Sequence, residues 1–186
     1  MSTDAVNINR ISKPLKNLDF GGKFKALIDV VNGLHEVLLN HANTAPGLVI
    51  GSSDSAKVKI ATTVTYVVNG IFKSKTTAEV AFTATSHDIA FHATLVKEAV
   101  FTLSLKADLS AVLTMGAIAV GAGNAVQPAA PAGQCVIGAV RIAVAGGATP
   151  FDASSDALSA GHLTTTYYDQ CMRPADIGSL IAAITA

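Results

Sequence analysis

The sequence predicts a mainly β protein: a β-sandwich or barrel-like domain, preceded by an N-terminal arm and helix and followed by a short C-terminal helix. Three observations carry that expectation. Residues 57–68, KVKIATTVTYVV, alternate apolar and polar side chains, the period of a half-buried strand. Turn signals recur every eight to twelve residues or so through the middle of the chain, the spacing of short antiparallel strands in a sandwich or barrel. Finally, a Pro-Ala-Gly turn leads into an apolar run at 135–145, and a Gly/Thr/Pro/Asp/Ser loop separates it from a Thr-rich strand ending in Tyr167 and Tyr168.

The elements follow in order. Residues 1–21 read as an arm, because Ser, Asn, Lys and Pro14 interrupt any period and Gly21 and Gly22 close it with a flexible joint. Residues 23–42, KFKALIDVVNGLHEVLLNHA, place Phe24, Leu27, Val31, Leu34 and Leu38 in an a/d heptad series, with His41 next in line. Ile28, Val30, Val37 and Leu39 widen that stripe, and Gly33 weakens the helix by about 1 kcal/mol relative to Ala. The five heptad residues are the candidate oligomer interface; packing of the same stripe on the chain's own sheet is the equal alternative. Asn40, Asn43, Pro46 and Gly47 end the helix.

From Leu48 the period changes to two. After 57–68, Asn69 and Gly70 mark a tight hairpin, since a type I′ turn needs positive φ at both central residues, and 71–75 returns as the partner strand. Further strands fall at 79–83, 99–107 and 111–120, with 85–98 open between a turn and a bulge at His87 and Asp88. Residues 121–133, GAGNAVQPAAPAG, form a Pro/Gly/Ala loop. Residues 174–185, PADIGSLIAAIT, fit a terminal helix with an acid in its first turn. The chain thus divides into 1–46 (arm and helix), 47–170 (β-domain) and 171–186 (tail).

Composition narrows the function. Charged residues are 14 % of the 186, against roughly 25 % in ordinary soluble domains. Thirteen bases and thirteen acids cancel, which excludes the basic footprint of a nucleic-acid binder. A chain half hydrophobic with so little charge tends to associate, so partners are expected to cover part of its surface. Mean hydropathy is +0.46, yet the apolar zones at 111–126 and 135–145 fall short of the ~20 residues of a spanning helix. No membrane partner is expected, and no secretory leader, because MSTDAVNINRISKPLKN lacks an apolar segment. Cys135 and Cys171 are too few for a disulfide framework or zinc site, and Cys135 reads as small core filler.

No residue pattern points to chemistry. His35 and His41 stand six apart rather than the i,i+4 of a helical metal pair, and His87 and His92 lack a third ligand. Ser159, His162 and Asp156 or Asp169 could compose a triad, but they occupy one polar loop with no nucleophile elbow. Gly116, Gly121 and Gly123 match neither a P-loop nor a dinucleotide fingerprint. Glu36, Glu79 and Glu98 are isolated. The expectation is a non-enzyme without cofactor or metal.

The order Asn69-Gly70-Ile71-Phe72, TAEVAFT at 77–83, a strand at 99–106, then PAGQCVIGAVRI closing on TTTYY resembles small β-rich virion proteins of tailed bacteriophages. Capsid decoration (cement) proteins and head-fibre bases are the nearest of that group, and the likeness covers about 57–169. The resemblance implies a β-domain, forming trimers on the capsid exterior, that bridges major capsid protein subunits. Its partners would be its own copies and the major capsid protein, and its location the virion, reached from the host cytoplasm. A tail, baseplate or fibre-base component, or a glycan-binding β-sandwich, are the alternatives.

Overall fold

The computed structural model describes residues 31, 39–52, 56–129, 131–147 and 149–171. Within them the chain is mainly β, with eleven strands in three antiparallel sheets. These are β1 (His41–Ala42), β2 (Leu48–Ile50), β3 (Lys57–Ile60), β4 (Val64–Val68), β5 (Ile71–Lys75), β6 (Ala78–Ala81), β7 (Lys97–Leu105), β8 (Ala111–Met115), β9 (Ala119–Val120), β10 (Cys135–Val144) and β11 (Leu163–Asp169). One sheet runs β1-β4-β5 and a second β2-β3-β6. The largest runs β11-β10-β7-β8, with β9 continuing alongside β7. No sheet order returns to its first strand, so the architecture is not a closed barrel.

The hairpin at Asn69 and Gly70 forms as its residues require. Their φ angles are 51° and 75°, and Val68 pairs directly with Ile71 across the turn. Glycine is favoured at the second of these because a Cβ there costs energy in the left-handed region.

The period-two run at 57–68 is not one strand. It splits into β3 and β4, which belong to different sheets. The break is made by backbone bonds: the N–H groups of Ala61 and Thr62 both donate to the Pro46 carbonyl, at 3.1 and 3.0 Å, and the Thr62 hydroxyl donates to Ala45 O at 2.7 Å. Val58, Ile60, Val64, Tyr66 and Val68 are all fully buried while Thr62 is exposed at the corner, so the inward parity is the same in both strands. The run at 111–120 likewise breaks into β8 and β9.

The sequence predicted a helix as far as residue 42. Val31 and Leu39 are helical, but His41–Ala42 is a strand whose residues pair with Val67 and Tyr66 of β4. The backbone satisfaction on offer from β4 ends the helix early. The arm at 1–21, most of the helix and the C-terminal helix at 174–185 lie outside the described residues.

One core joins the sheets. Ala99, Phe101, Leu103 and Leu105 of β7 meet Val140, Ile142 and Val144 of β10, together with the inward residues of β3 and β4. Each such side chain contributes about 1.5–3 kcal/mol relative to exposure. Phe82 packs edge-on against Phe101 and Phe151, with centroids 4.9 and 5.7 Å apart, a favoured aromatic geometry. Tyr66 is fully buried and satisfies its hydroxyl by donating to Lys106 O at 3.0 Å. Ile137 is an extra residue in β10, the bulge lying between Val136 and Gly138.

Candidate functional site

The 121–133 loop is more than a connection. Every β7 residue beyond Lys97 is buried, so both faces of this strand are dry. The core covers one face. The other carries Glu98, Val100, Thr102 and Ser104 beside Ala139, Arg141 and Ala143 of β10, and Thr164, Thr166 and Tyr168 of β11 extend it. Residues 121–129 and 131–134 cross this face as a strap. Alanine and threonine at its centre leave room for a backbone to lie close. The Thr102 hydroxyl donates to Pro128 O at 2.9 Å, and the Ser104 hydroxyl donates to Gln134 Oε1. At Gly116 a Cβ would stand 2.7 Å from Val126 O.

Glu98 is the polar centre of this arrangement and is fully buried. Its Oε1 accepts the Ala125 N–H of the strap at 2.7 Å. Its Oε2 accepts from Arg141 Nε at 2.8 Å and from Arg141 Nη2. Burial is the largest influence on its proton and opposes ionisation. The N–H groups of Ala125 and Gly123 and the Arg141 guanidinium together outweigh it and hold the carboxyl below its ordinary range. The sequence reading of Glu98 as isolated is therefore corrected: its partner lies on the neighbouring strand. A second fastening is the reciprocal amide pair of Gln127 and Gln170, at 3.1 and 2.8 Å.

Between the strap and β11 lies an open groove of about 490 Å³, lined by Val100, Ala125, Gln127, Ala139, Arg141 and Tyr168 among others. Arg141 already commits Nε and Nη2 to Glu98, so the groove presents a neutralised pair. Next to it, Asp169 accepts the Leu48 and Gly47 N–H groups at 2.8 and 3.2 Å and ties β11 to β2.

The residues singled out from sequence are dispersed. Val31 is 42 % exposed; Phe24, Leu27, Leu34 and Leu38 lie outside the described residues, as does His35. His41 stands on β1. His87 is buried between Phe82 and Phe101, and its Nδ1 accepts the Thr83 N–H at 2.9 Å. Burial lowers its pKa against the raising pull of Asp88. His92 Nδ1 accepts from Thr94 and Leu95 N–H, closing a turn. His162 Nε2 reaches Asp156 Oδ2 at 3.7 Å, while Asp169 is occupied at β2 and Ser159 is exposed, so the four are not gathered in one place. Cys135 is buried and its thiol is pushed up to about 12. Among the described residues no three His, Cys, Asp or Glu side chains converge on a metal-sized site, and no helix is long and apolar enough to cross a membrane.

Comparisons with protein-family models, with curated proteins and with solved structures return no match.

Proposed function

We propose that this chain is a structural virion protein that binds the outside of a phage capsid, clamps adjacent major capsid protein subunits and associates with its own copies, as a trimer, in doing so. One observation carries the reading: large apolar side chains remain exposed on a chain with little charge to keep it apart from others. Val126 is 75 % exposed on the strap and Phe72 64 % exposed on β5, beside Ile71, Phe91 and Leu95, each at least half exposed. A net charge of zero leaves little repulsion between copies, which favours association with other polypeptides through such side chains.

The residue pattern that resembles capsid decoration proteins supports the same reading, and a tail or fibre-base role would use the same surfaces. A glycan platform is less well supported. Tyr167 packs against the core and only Tyr168 faces outward, so the pair offers one ring.

Native mass of the purified full chain tests the proposal, a trimer being the expected species. Leu34→Asp should dissociate it if the 23–42 stripe lies at the oligomer axis. A variant that sediments like the unaltered protein refutes that axis, and a wild-type chain that stays monomeric at every concentration and ignores capsid shells refutes the clamp.

A further inference from the structure

The free edge of the largest sheet is β11, Leu-Thr-Thr-Thr-Tyr-Tyr-Asp. Two backbone bonds fix which of its groups face its neighbour β10: Ala145 N–H donates to His162 O at 3.1 Å, and Gln170 N–H donates to Ile137 O at 2.9 Å. Bonded pairs alternate along an antiparallel ladder, so within the register of these strands Thr164, Thr166 and Tyr168 exchange bonds with β10. The N–H and C=O groups of Thr165 and Tyr167 therefore point away from the sheet. Leu163 N–H is taken by Ala160 O at 2.9 Å. Among the described residues nothing takes those of Thr165 or Tyr167.

Edge strands are ordinarily blunted by lysine, proline, a bulge or a cover. β5 carries Lys73 and Lys75, β6 carries Glu79, and β8 lies against β6. β11 carries no lysine, proline or bulge. β2 lies against it at the Asp169 end, where Gly47 and Leu48 donate to the carboxylate, and the Thr165 and Tyr167 backbone groups remain without a neighbouring strand. It is seven residues long and uncharged until Asp169.

We propose that β11 joins two copies of this chain, pairing antiparallel with its own counterpart about a two-fold axis at Thr166. The occupant is a second copy because the strand is its own complement. Thr166 is its midpoint, so only this register overlaps all seven residues. Thr165 then exchanges both bonds with the second copy's Tyr167, and Tyr167 with its Thr165. On the outer face Thr166 meets itself, and Thr164 meets Tyr168, a favourable β-branched–aromatic pair. No like charges oppose one another, because Asp169 falls opposite Leu163. The result is one continuous sheet through both copies, related by closed two-fold symmetry. This rests on the reading of the protein as one that associates with itself, and it adds a contact distinct from the 23–42 stripe: a dimer alone, or a pair of trimers where both contacts form.

The test uses the full chain with Cys171→Ser. Thr166→Cys places two thiols across a non-hydrogen-bonded pair, with Cα atoms about 4.5 Å apart, within disulfide reach. It should cross-link to a dimer under mild oxidation, whereas Thr164→Cys, facing Tyr168, should not. Thr166→Lys and Thr166→Glu should each halve the native mass, and an equimolar mixture should restore it. If the wild-type chain is oligomeric but neither charge variant changes its mass and Thr166→Cys does not cross-link, edge pairing is overturned while self-association stands. If the wild-type chain is monomeric and Thr166→Cys does not cross-link, both are overturned.

Discussion

Arg141→Met should destabilise the protein by about 3 kcal/mol, the lower end of the range for breaking a buried ion pair. The lower end applies because the Arg141 side chain is 24 % exposed while that of Glu98 is fully buried. The asymmetry fixes an order among variants. Arg141→Met strands a carboxylate that has no route to water, keeping only its bonds from the strap. Glu98→Gln keeps an oxygen for the Ala125 N–H and leaves a guanidinium that can reach solvent, so it should cost about 1.5–2 kcal/mol. Replacing both, with Glu98→Leu and Arg141→Met, should cost less than Arg141→Met alone, because no charge is left unpaired. In a domain of this size about 3 kcal/mol corresponds to a fall of roughly 6–12 °C in Tm, readable by circular dichroism and by urea denaturation. The pH dependence has a definite sign. The Glu98 carboxyl is lowered in the folded chain, so its contribution is present above the unfolded value of about 4.3. It is lost as pH falls from there through the folded value. The gap between wild type and Glu98→Gln should therefore narrow below about pH 4.3. An Arg141→Met variant within about 0.5 kcal/mol of wild type, or one less costly than Glu98→Gln, would refute the reasoning.

Three further outcomes follow from single residues. His87 should titrate below the ordinary value of about 6.5 in an NMR experiment. Stability should then decline as pH drops below that value, because the unfolded chain takes up the proton first; a midpoint at or above 6.5 would contradict its burial. Gly138→Ala should cost about 1–3 kcal/mol by overpacking, since its Cβ would meet Leu48 Cδ1 and stand 2.6 Å from Tyr168 O. Unchanged denaturant midpoints would show that β11 can yield. A thiol reagent should label Cys171 in the native protein and Cys135 only on unfolding, because Cys135 is buried with its thiol near 12; equal labelling would place Cys135 at the surface.

Elements specified by local chemistry were legible from the residues. The Asn69 and Gly70 turn dictates its own conformation, and the apolar run from Cys135 is a strand for nearly its predicted length. The corner at Ala61 and Thr62 was hidden because the inward parity of Val58, Ile60, Val64, Tyr66 and Val68 does not change when the chain crosses between sheets. What makes the corner is the carbonyl of Pro46, which no periodicity reveals. β1 and β2 are two and three residues long, too short to carry a period. The Glu98–Arg141 pair spans 43 positions, so spacing could not expose it. A usable signal was present: the one acid of β7 and the one charged residue of the apolar β10 run cannot both be buried without a partner. The Ala, Pro and Gly composition of the strap is that of a loop. Its covering role depends on the small residues beneath it.

The shared carbonyl at Pro46 has a mechanical consequence. Residues 57–68 enter one sheet and leave through another with only a three-residue corner between them, so neither sheet can fray without loading the other. Hydrogen exchange across β3 and β4 should report one common opening event rather than two, the behaviour of a single cooperative unit.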